Sequence, residues 1–425
     1  MKTIEHIAAQ LQGYDPQALR ADTAGQFLSA LVNPVTEVQT VDLKQALGMV
    51  LAADVVSPIS VPAHDNSAMD GFAFAGTQLQ SGQSLSLDVV GTALAGKTWS
   101  GTVAAGQCVK IMTGAVMPVG LDTVVPQEMV SANGHRITIP ANALQLGDNR
   151  RFKGEDLQEG KPALTAGTRI QPAALGLLAS LGIAQVEVLR RVRVAFFSTG
   201  DEVLSLGEVP REGAVYDSNR YTLFGLLTRM GVEVLDMGVV RDDPAALEAA
   251  FRSAAAQADA VITSGGVSVG EADHTKAIMR KLAGGDAGVV FWKIAMRPGR
   301  PMAVGRIDNA VLFGLPGNPV AVMVTFLAFV RPALLQMMGC KPEPLPMLRA
   351  QSQEAIRKKA GRTEYQRGQV TYAENGALVV KTTGQQGSGV LSSMAQANGL
   401  IVLHHDQGNV SPGDAVDVMM FDGVI

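Results

Sequence analysis

Apolar residues recur at helical spacing between Asp22 and Ala53, first in QFLSALVNP and then in DLKQALGMVLAADV. That spacing predicts two helices, the first ended by Pro34 and the second capped by Asp42. From Val55 to Val130 the pattern changes to short alternating segments among many glycines and prolines. SLSLDVVG, QCVKIMT and DTVVPQEMV read as strands, and HRITIP (135–140) adds another after an Asn133-Gly134 turn. A loop and a helix, PAALGLLASLG, follow between Arg150 and Gly182. The β-rich stretch is therefore expected to be inserted in a helical unit.

Beyond Arg191 strand and helix alternate. RVRVAFFS, VEVLDMGVV, ADAVITSGG, VVFWKIAM, PMAVGRI and NAVLFGL read as strands. SNRYTLFGLLTRMG, DPAALEAAFRSAAAQ, ADHTKAIMRKLA and NPVAVMVTFLAFVRPALLQMMG read as helices. Apolar strands alternating with helices predict a doubly wound, largely parallel sheet covered on both faces. After a PEPLP linker (342–346), the segments GQVTYA, GALVVKTT, GLIVLHHD and AVDVMMFD between Gly-rich turns predict a small barrel. The fold class is thus multidomain α/β plus β. It divides into a helical elongated unit (1–54 with 152–190), an inserted β-rich unit (55–151), an α/β unit (191–340) and a C-terminal β-barrel (341–425). A chain of 425 residues, at about 150 residues per domain, sets a prior nearer three.

Composition removes several function classes. The formal net charge is −4, whereas sequence-independent nucleic-acid binding needs a Lys/Arg surplus. The two cysteines, Cys108 and Cys340, are too far apart in sequence for a disulfide framework or a Cys-based zinc site. The six histidines show no ligand spacing. The N-terminus does not read as a secretory signal, and the longest apolar stretch, Val320 to Val330, is too short to span a bilayer. A soluble, cytoplasmic protein with no membrane and no nucleic-acid partner is expected. Only 17% of residues are charged, against about 25% in an average soluble protein, so local clusters of charge are informative.

Those clusters fall where a doubly wound sheet binds ligands, beyond the C-terminal ends of its strands. Ser198-Thr199-Gly200-Asp201-Glu202 follows the first strand. Thr263-Ser264-Gly265-Gly266-Val267-Ser268 follows another, with Glu271 and Asp273 close behind. Adjacent glycines bring backbone N–H groups to an anion, and Ser264 and Ser268 add hydroxyl donors. Lys293 to Pro301 packs three cations and two prolines into nine residues without an acid, and Arg306 follows. Gly314-Leu315-Pro316-Gly317-Asn318-Pro319 enters the last helix, with Asn318 placed to cap it and Pro319 at the first helical position. Outside this unit, HDNSAMDGFA (64–73), IMTGA (111–115), and Arg151 with Gly154-Glu155-Asp156 stand out as polar loop features. Carboxylates and cations in one cleft suit a phosphate-bearing substrate with a hard divalent cation. No Walker lysine and no Ser-His-Asp or Cys-His arrangement is visible.

Together, NSAMDGFA, IMTGA, RFKGED, STGDE, SNRYTL, TSGGVSVGEADH, FWKIAMRPGRP, GLPGNP and TEYQRG resemble the molybdopterin molybdenumtransferase (MoeA) family, related to the C-terminal domain of gephyrin. The resemblance covers nearly the whole chain. It implies an L-shaped homodimer and a molybdopterin-binding α/β domain. The implied reaction joins molybdate to adenylylated molybdopterin, with Mg2+, and releases AMP. It further implies catalytic roles for Asp70, Thr113, Asp156, Glu202, Asp242, Asp273 and Lys293, with Glu202 and Asp273 holding the metal. Ser264, Gly265, Gly266 and Ser268 would cradle phosphate. Arg297, Pro298, Arg300, Pro316, Gly317 and Asn318 would line the pterin or oxyanion pocket, and Arg367 and Ser392 would close it. Asp70 and Thr113 of one subunit would face Glu202 and Asp273 of the other. A molybdopterin adenylyltransferase and cofactor-delivery proteins for molybdoenzymes are expected as partners. The alternatives are a scaffold role like that of the gephyrin-related domain, or the adenylyltransferase activity itself. Tungstate in place of molybdate stays open. One departure stands out: the family often has lysine where this chain has Arg297 and Arg300. Arginine keeps the charge, binds oxyanions as a fork and does not lose its proton, which argues against proton transfer there.

Overall fold

A computed structural model describes residues 3–267, 274–285, 287–341 and 345–421. Three antiparallel pairings are nested along the first half of the chain. Val38–Asp42 pairs with Gln185–Leu189, Val55–Val56 with Pro162–Leu164, and Asn66–Ser67 with Arg150–Arg151. The chain thus leaves and returns along the same path. Between these limbs sits a six-stranded sheet built from Gly71–Phe74, Leu85–Ala93, Gln107–Ile111, Thr123–Pro126, Ser131–Asn133 and Arg136–Ile139. Successive side chains on a strand point to opposite faces. Ala73, Val109 and Val124 therefore join one apolar cluster, while their neighbours Phe74, Cys108 and Val125 join another.

One predicted helix does not form. The segment from Asp42 to Ala53 is a short 3-10 turn, Leu43–Ala46, between strands Val38–Asp42 and Val50–Leu51. Asp42 makes no capping bond; its Oδ1 accepts from Gln185 Nε2 at 2.9 Å. Both strands pair with Gln185–Leu189, a partner some 140 residues away that local spacing cannot report.

The other expected helix, Ala21–Leu31, forms and buries Phe27, Leu28 and Leu31. Its partners lie in the α/β core. Phe27 meets Trp292 edge-on with centroids 5.1 Å apart, and Trp292 Nε1 donates to Tyr14 Oη at 3.0 Å. Residues Ile4 to Val32 thus share the apolar cluster of the α/β sheet, whereas Ala46, Leu51, Ile170 and Val188 form a separate one.

The central sheet runs in the order Glu233–Val240, Arg193–Thr199, Ala260–Ser264, Ala310–Leu315, Pro301–Ile307 and Val289–Lys293. The first four strands are parallel; the last two pair antiparallel in sequence along the edge. The sheet is mixed, because a tight loop rather than a helix joins Lys293 to Pro301. Helices Ser218–Met230, Pro244–Gln257 and His274–Leu282 and the run from Pro319 to Met337 cover it. That last run is long and apolar enough to cross a membrane by composition, yet Val320, Val324, Phe326, Leu327 and Leu334 lie in the core. Pro332 has no N–H to continue the helical ladder, and a π turn, Phe326–Val330, precedes it.

Strands Leu348–Ser352, Thr363–Tyr372, Leu378–Thr382, Gly399–Leu403 and Ala415–Met420 close into a five-stranded barrel, since Thr363–Tyr372 pairs with both Leu378–Thr382 and Gly399–Leu403. A short strand, Met296–Arg297, adds in parallel to Thr363–Glu364. The arginine-rich loop of the α/β unit is therefore hydrogen-bonded to the barrel. The linker residues 342–344 lie outside the described residues.

Candidate active site

The C-terminal ends of the parallel strands and the loop after Lys293 open on one cleft of about 750 Å3. Ten of the residues given a catalytic or binding role line it: Glu202, Asp242, Gly265, Gly266, Arg297, Pro298, Arg300, Pro316, Gly317 and Asn318. The loops are tied to one another. Asp242 N donates to Asp201 Oδ1 at 3.3 Å, which holds the Glu202 and Asp242 loops side by side. Gly265 N donates to Leu315 O at 3.1 Å. Asn219 Nδ2 donates to Gly317 O at 2.7 Å. Asn318 precedes the helix with Pro319 at its first position, but its side chain makes no cap bond and instead borders the cleft.

The glycine pair is needed for space as well as for its turn. Gly265 has φ +91°, and a Cβ there would lie 2.7 Å from Thr199 O. Gly266 has φ +64°, and a Cβ there would lie 2.5 Å from Thr275 Cβ. Only glycine accepts both the left-handed backbone and such contacts.

Several assignments change. Ser264 is buried, and its Oγ bonds Ser198 Oγ at 2.9 Å beneath the cleft, so it braces the strand ends rather than cradling phosphate. Lys293 lies on the edge strand. Its N donates to Pro16 O at 2.8 Å, its carbonyl accepts from Leu19 N, and it is absent from the cleft wall. Arg306 does not join the arginine loop; its guanidinium reaches the carbonyl of Leu31, and burial pushes its pKa down. Arg367 is almost fully buried. Its Nε donates to Ser393 Oγ at 2.9 Å and its Nη2 to the carbonyls of Gln385 and Gly387. The adjacent Ser392 is exposed. Arg367 shapes the 385–388 loop and borders a smaller cavity of about 40 Å3 with Arg297, Pro298 and Gln386. Ser268 and Asp273 lie outside the described residues.

The barrel supplies cleft residues that the sequence reading missed: Arg362, Gln386, Gly387 and Ser388. Arg362 is oriented by Glu364, with Nε–Oε1 at 2.8 Å and Nη2–Oε1 at 2.7 Å, and the Glu364 carboxylate is buried. The Gly-rich run QQGSG (385–389) was the available signal for the other three.

Asp70, Thr113 and Asp156 sit in and beside the inserted β unit, outside this cleft. Asp70 Oδ1 accepts from Thr113 N and from Thr113 Oγ1, both at 2.7 Å. These bonds, the backbone one first, hold the exposed Asp70 carboxyl below its ordinary pKa. Asp65 anchors the same face, accepting from Lys153 N at 2.7 Å and from the Arg150 guanidinium. Asp156 is exposed, and its N donates to Val61 O at 3.1 Å.

A doubly wound core with glycines, arginines and carboxylates at its strand ends, and a barrel strand-paired to its arginine loop, defines a multidomain α/β protein with a polar, arginine-bearing cleft. Family comparison then makes the membership specific. Residues 19–182 match the MoeA N-terminal region (domain I and II), 195–336 the probable molybdopterin binding domain, and 349–421 the MoeA C-terminal region (domain IV). The chain is 41% identical over 391 residues to a molybdopterin molybdenumtransferase of Haemophilus influenzae, covering 92% of this chain and 95% of that one. It is 35% identical to a molybdopterin molybdenumtransferase of a Nostoc species, covering 99% and 97%. A crystal structure of the molybdopterin biosynthesis moeA protein from Pyrococcus horikoshii OT3 superposes with a TM-score of 0.78 at 27% identity, covering 95% of this chain and all of that one. The chain belongs to the MoeA family.

Proposed function

We infer that this enzyme transfers molybdate to adenylylated molybdopterin and releases AMP, completing the molybdenum cofactor. One observation carries the reading: a chain matching 95% of a MoeA relative's length lines a single cleft with Arg297, Arg300, Glu202 and Asp242. Guanidinium forks bind tetrahedral oxyanions and phosphates bidentately. Gly266 and Gly317 bring backbone without a side chain to the cleft wall, which leaves room for a phosphate. Arg297, which lines both the cleft and the smaller cavity, suits the oxyanion. Neither the scaffold role nor the adenylyltransferase activity is favoured by relatives matched over 95% and 97% of their length.

The donor set fits Mg2+, which takes one or two carboxylates and completes its shell with substrate phosphate and water. Glu202, one of the two predicted ligands, and Asp242 would provide them; the other predicted ligand, Asp273, lies outside the described residues, and no cluster of three carboxylate, histidine or cysteine ligands occurs among the described residues. Bound there, the ion would neutralise charge on the phosphoanhydride that is cleaved. We place the reaction in the cytoplasm and in a homodimer, with Asp70 and Thr113 of one subunit brought to the cleft of the other. Adenylyltransferase would deliver the substrate, and molybdoenzyme delivery proteins would receive the product.

The test is cofactor assembly in vitro from adenylylated molybdopterin, Mg2+ and molybdate or tungstate, scored by AMP release and by activation of an apo-molybdoenzyme. Absence of oxyanion-dependent AMP release would overturn the reading. Mixing inactive Asp70→Ala and Glu202→Ala chains tests the shared site: subunit exchange should restore about a quarter of activity if each mixed dimer holds one intact site. No recovery despite exchange would place both residues in one subunit's site.

A further inference from the structure

The SNRYTL segment and the aspartate before it contribute nothing to the cleft wall, yet they bond to loops that build it. Asp217 is a buried carboxylate at the start of helix Ser218–Met230. Its Oδ1 accepts from Arg220 N at 3.0 Å, capping the helix, and from Ser198 Oγ at 3.0 Å. Ser198 in turn bonds Ser264 Oγ at 2.9 Å, and the two serines are register partners at the ends of adjacent parallel strands. Asp217 N donates to Leu204 O at 3.0 Å, and Val215 N to Glu202 O at 2.9 Å. Two residues further, Asn219 holds Gly317 O at 2.7 Å. The five residues 215–219 therefore touch the Glu202 loop and the Pro316–Asn318 loop directly, and reach the glycine-pair strand through Ser198.

A helix cap alone does not account for this side chain, because Oδ1 also takes the Ser198 hydroxyl, a bond that no cap requires. Asp217 Oδ2 is buried without a partner among the described residues. Burying a polar group in that state is unfavourable, and capping is done as well by serine or asparagine. Strained or incompletely satisfied groups persist where the surrounding structure uses them.

We propose that Asp217 is a positioning residue for the transfer reaction: through Ser198 and the helix it caps, it fixes the spacing of three anion-binding loops. This rests on the function proposed above for what the loops bind, while the spacing itself does not. Asparagine keeps an acceptor oxygen in the place of Oδ1 and alanine does not, which separates placement from charge.

The experiment measures hydrogen exchange and steady-state kinetics on the full-length enzyme and on Asp217→Asn, Asp217→Ala, Ser198→Ala and Asn219→Ala. In Asp217→Ala, exchange should rise together at residues 199–204, 264–267 and 315–318, with the barrel strands unchanged. KM for adenylylated molybdopterin should rise at least tenfold. Asp217→Asn should restore wild-type exchange and stay within threefold in KM. Ser198→Ala should loosen the first two loops only, and Asn219→Ala the third only. Should Asp217→Ala not fold, the Ser198 and Asn219 variants carry the same test. Unchanged loop exchange in those variants, or an Asp217→Asn enzyme as impaired as Asp217→Ala, overturns the proposal. Exchange needs no turnover, so an inactive wild type would refute the assigned reaction without touching the positioning claim.

Discussion

Replacing Gly266 by alanine adds one methyl group at a place where the geometry sets the cost. The residue has φ +64°, and leaving glycine there costs roughly 1–2 kcal/mol for the left-handed backbone. The new Cβ would also sit 2.5 Å from Thr275 Cβ, where carbon atoms normally approach to about 3.5–4.0 Å. Thr275 is buried in the first turn of helix His274–Leu282, so the loop or the helix must shift, at roughly 1–3 kcal/mol for overpacking. The sum, about 2–5 kcal/mol, is a large part of a typical domain stability of about 5–15 kcal/mol but leaves the chain folded. Urea unfolding followed by Trp292 fluorescence in a Trp99→Phe background reads the α/β core specifically, since the chain has two tryptophans and Trp292 lies in that core. A second measurement divides the sum. In a Thr275→Gly background the clashing atoms are gone, and Gly266→Ala should cost only the backbone part, about 1–2 kcal/mol. An equal cost in both backgrounds would refute the steric argument; a cost below about 0.5 kcal/mol in either would refute the backbone one as well.

Other expectations follow from single contacts. Burial works to raise the pKa of Asp259, but Arg190 and the Arg193 N–H outweigh it and hold the carboxyl low. The stability from this group is therefore complete above the unfolded aspartate pKa of about 3.9 and is lost as pH falls through the lower folded value. Asp259→Asn should flatten the acid limb of a stability–pH profile below about pH 4, and an unchanged limb would count against the pairing. Cys108 is fully buried, and burial pushes its thiol up to about 12, so a thiol reagent at pH 8 should leave it unlabelled until the β unit unfolds. Labelling of native Cys108 within minutes would contradict that placement. Arg300→Lys exchanges a fork for a point charge in the cleft wall; oxyanion KM should rise several-fold while the pH dependence of kcat stays fixed, and a new ionisation in the profile would show that a titrating group is tolerated there.

Much of the site could be read from the chain because strand ends mark themselves. RVRVAFFS, ADAVITS and NAVLFGL are apolar runs that each stop at a glycine-bearing polar loop, and those loops do form the cleft. The residues that moved did so for reasons of direction. Arg306 and Arg367 are cations close in sequence to the cleft, but Arg306 turns to the carbonyl of Leu31 and Arg367 to those of Gln385 and Gly387. Ser264 faces its neighbouring strand rather than the loop it precedes. Arg362 enters the cleft because Met296–Arg297 pairs with the barrel strand, a contact between distant segments.

By itself, then, the sequence determined the periodicities: alternating strands in the inserted sheet, strand–helix alternation in the α/β core, and barrel strands between glycine turns. It also determined the positions where backbone freedom or a scarce charge was placed. These are local properties, set by side-chain spacing and backbone sterics. The tertiary structure decided what local spacing cannot carry. It turned Asp42–Ala53 into strand, turn and strand by offering Gln185–Leu189 as a partner. It buried the helix Ala21–Leu31 against the α/β core rather than the adjacent sheet. It also chose which cations face an anion, because a guanidinium goes to whichever acceptors the packed chain brings within reach.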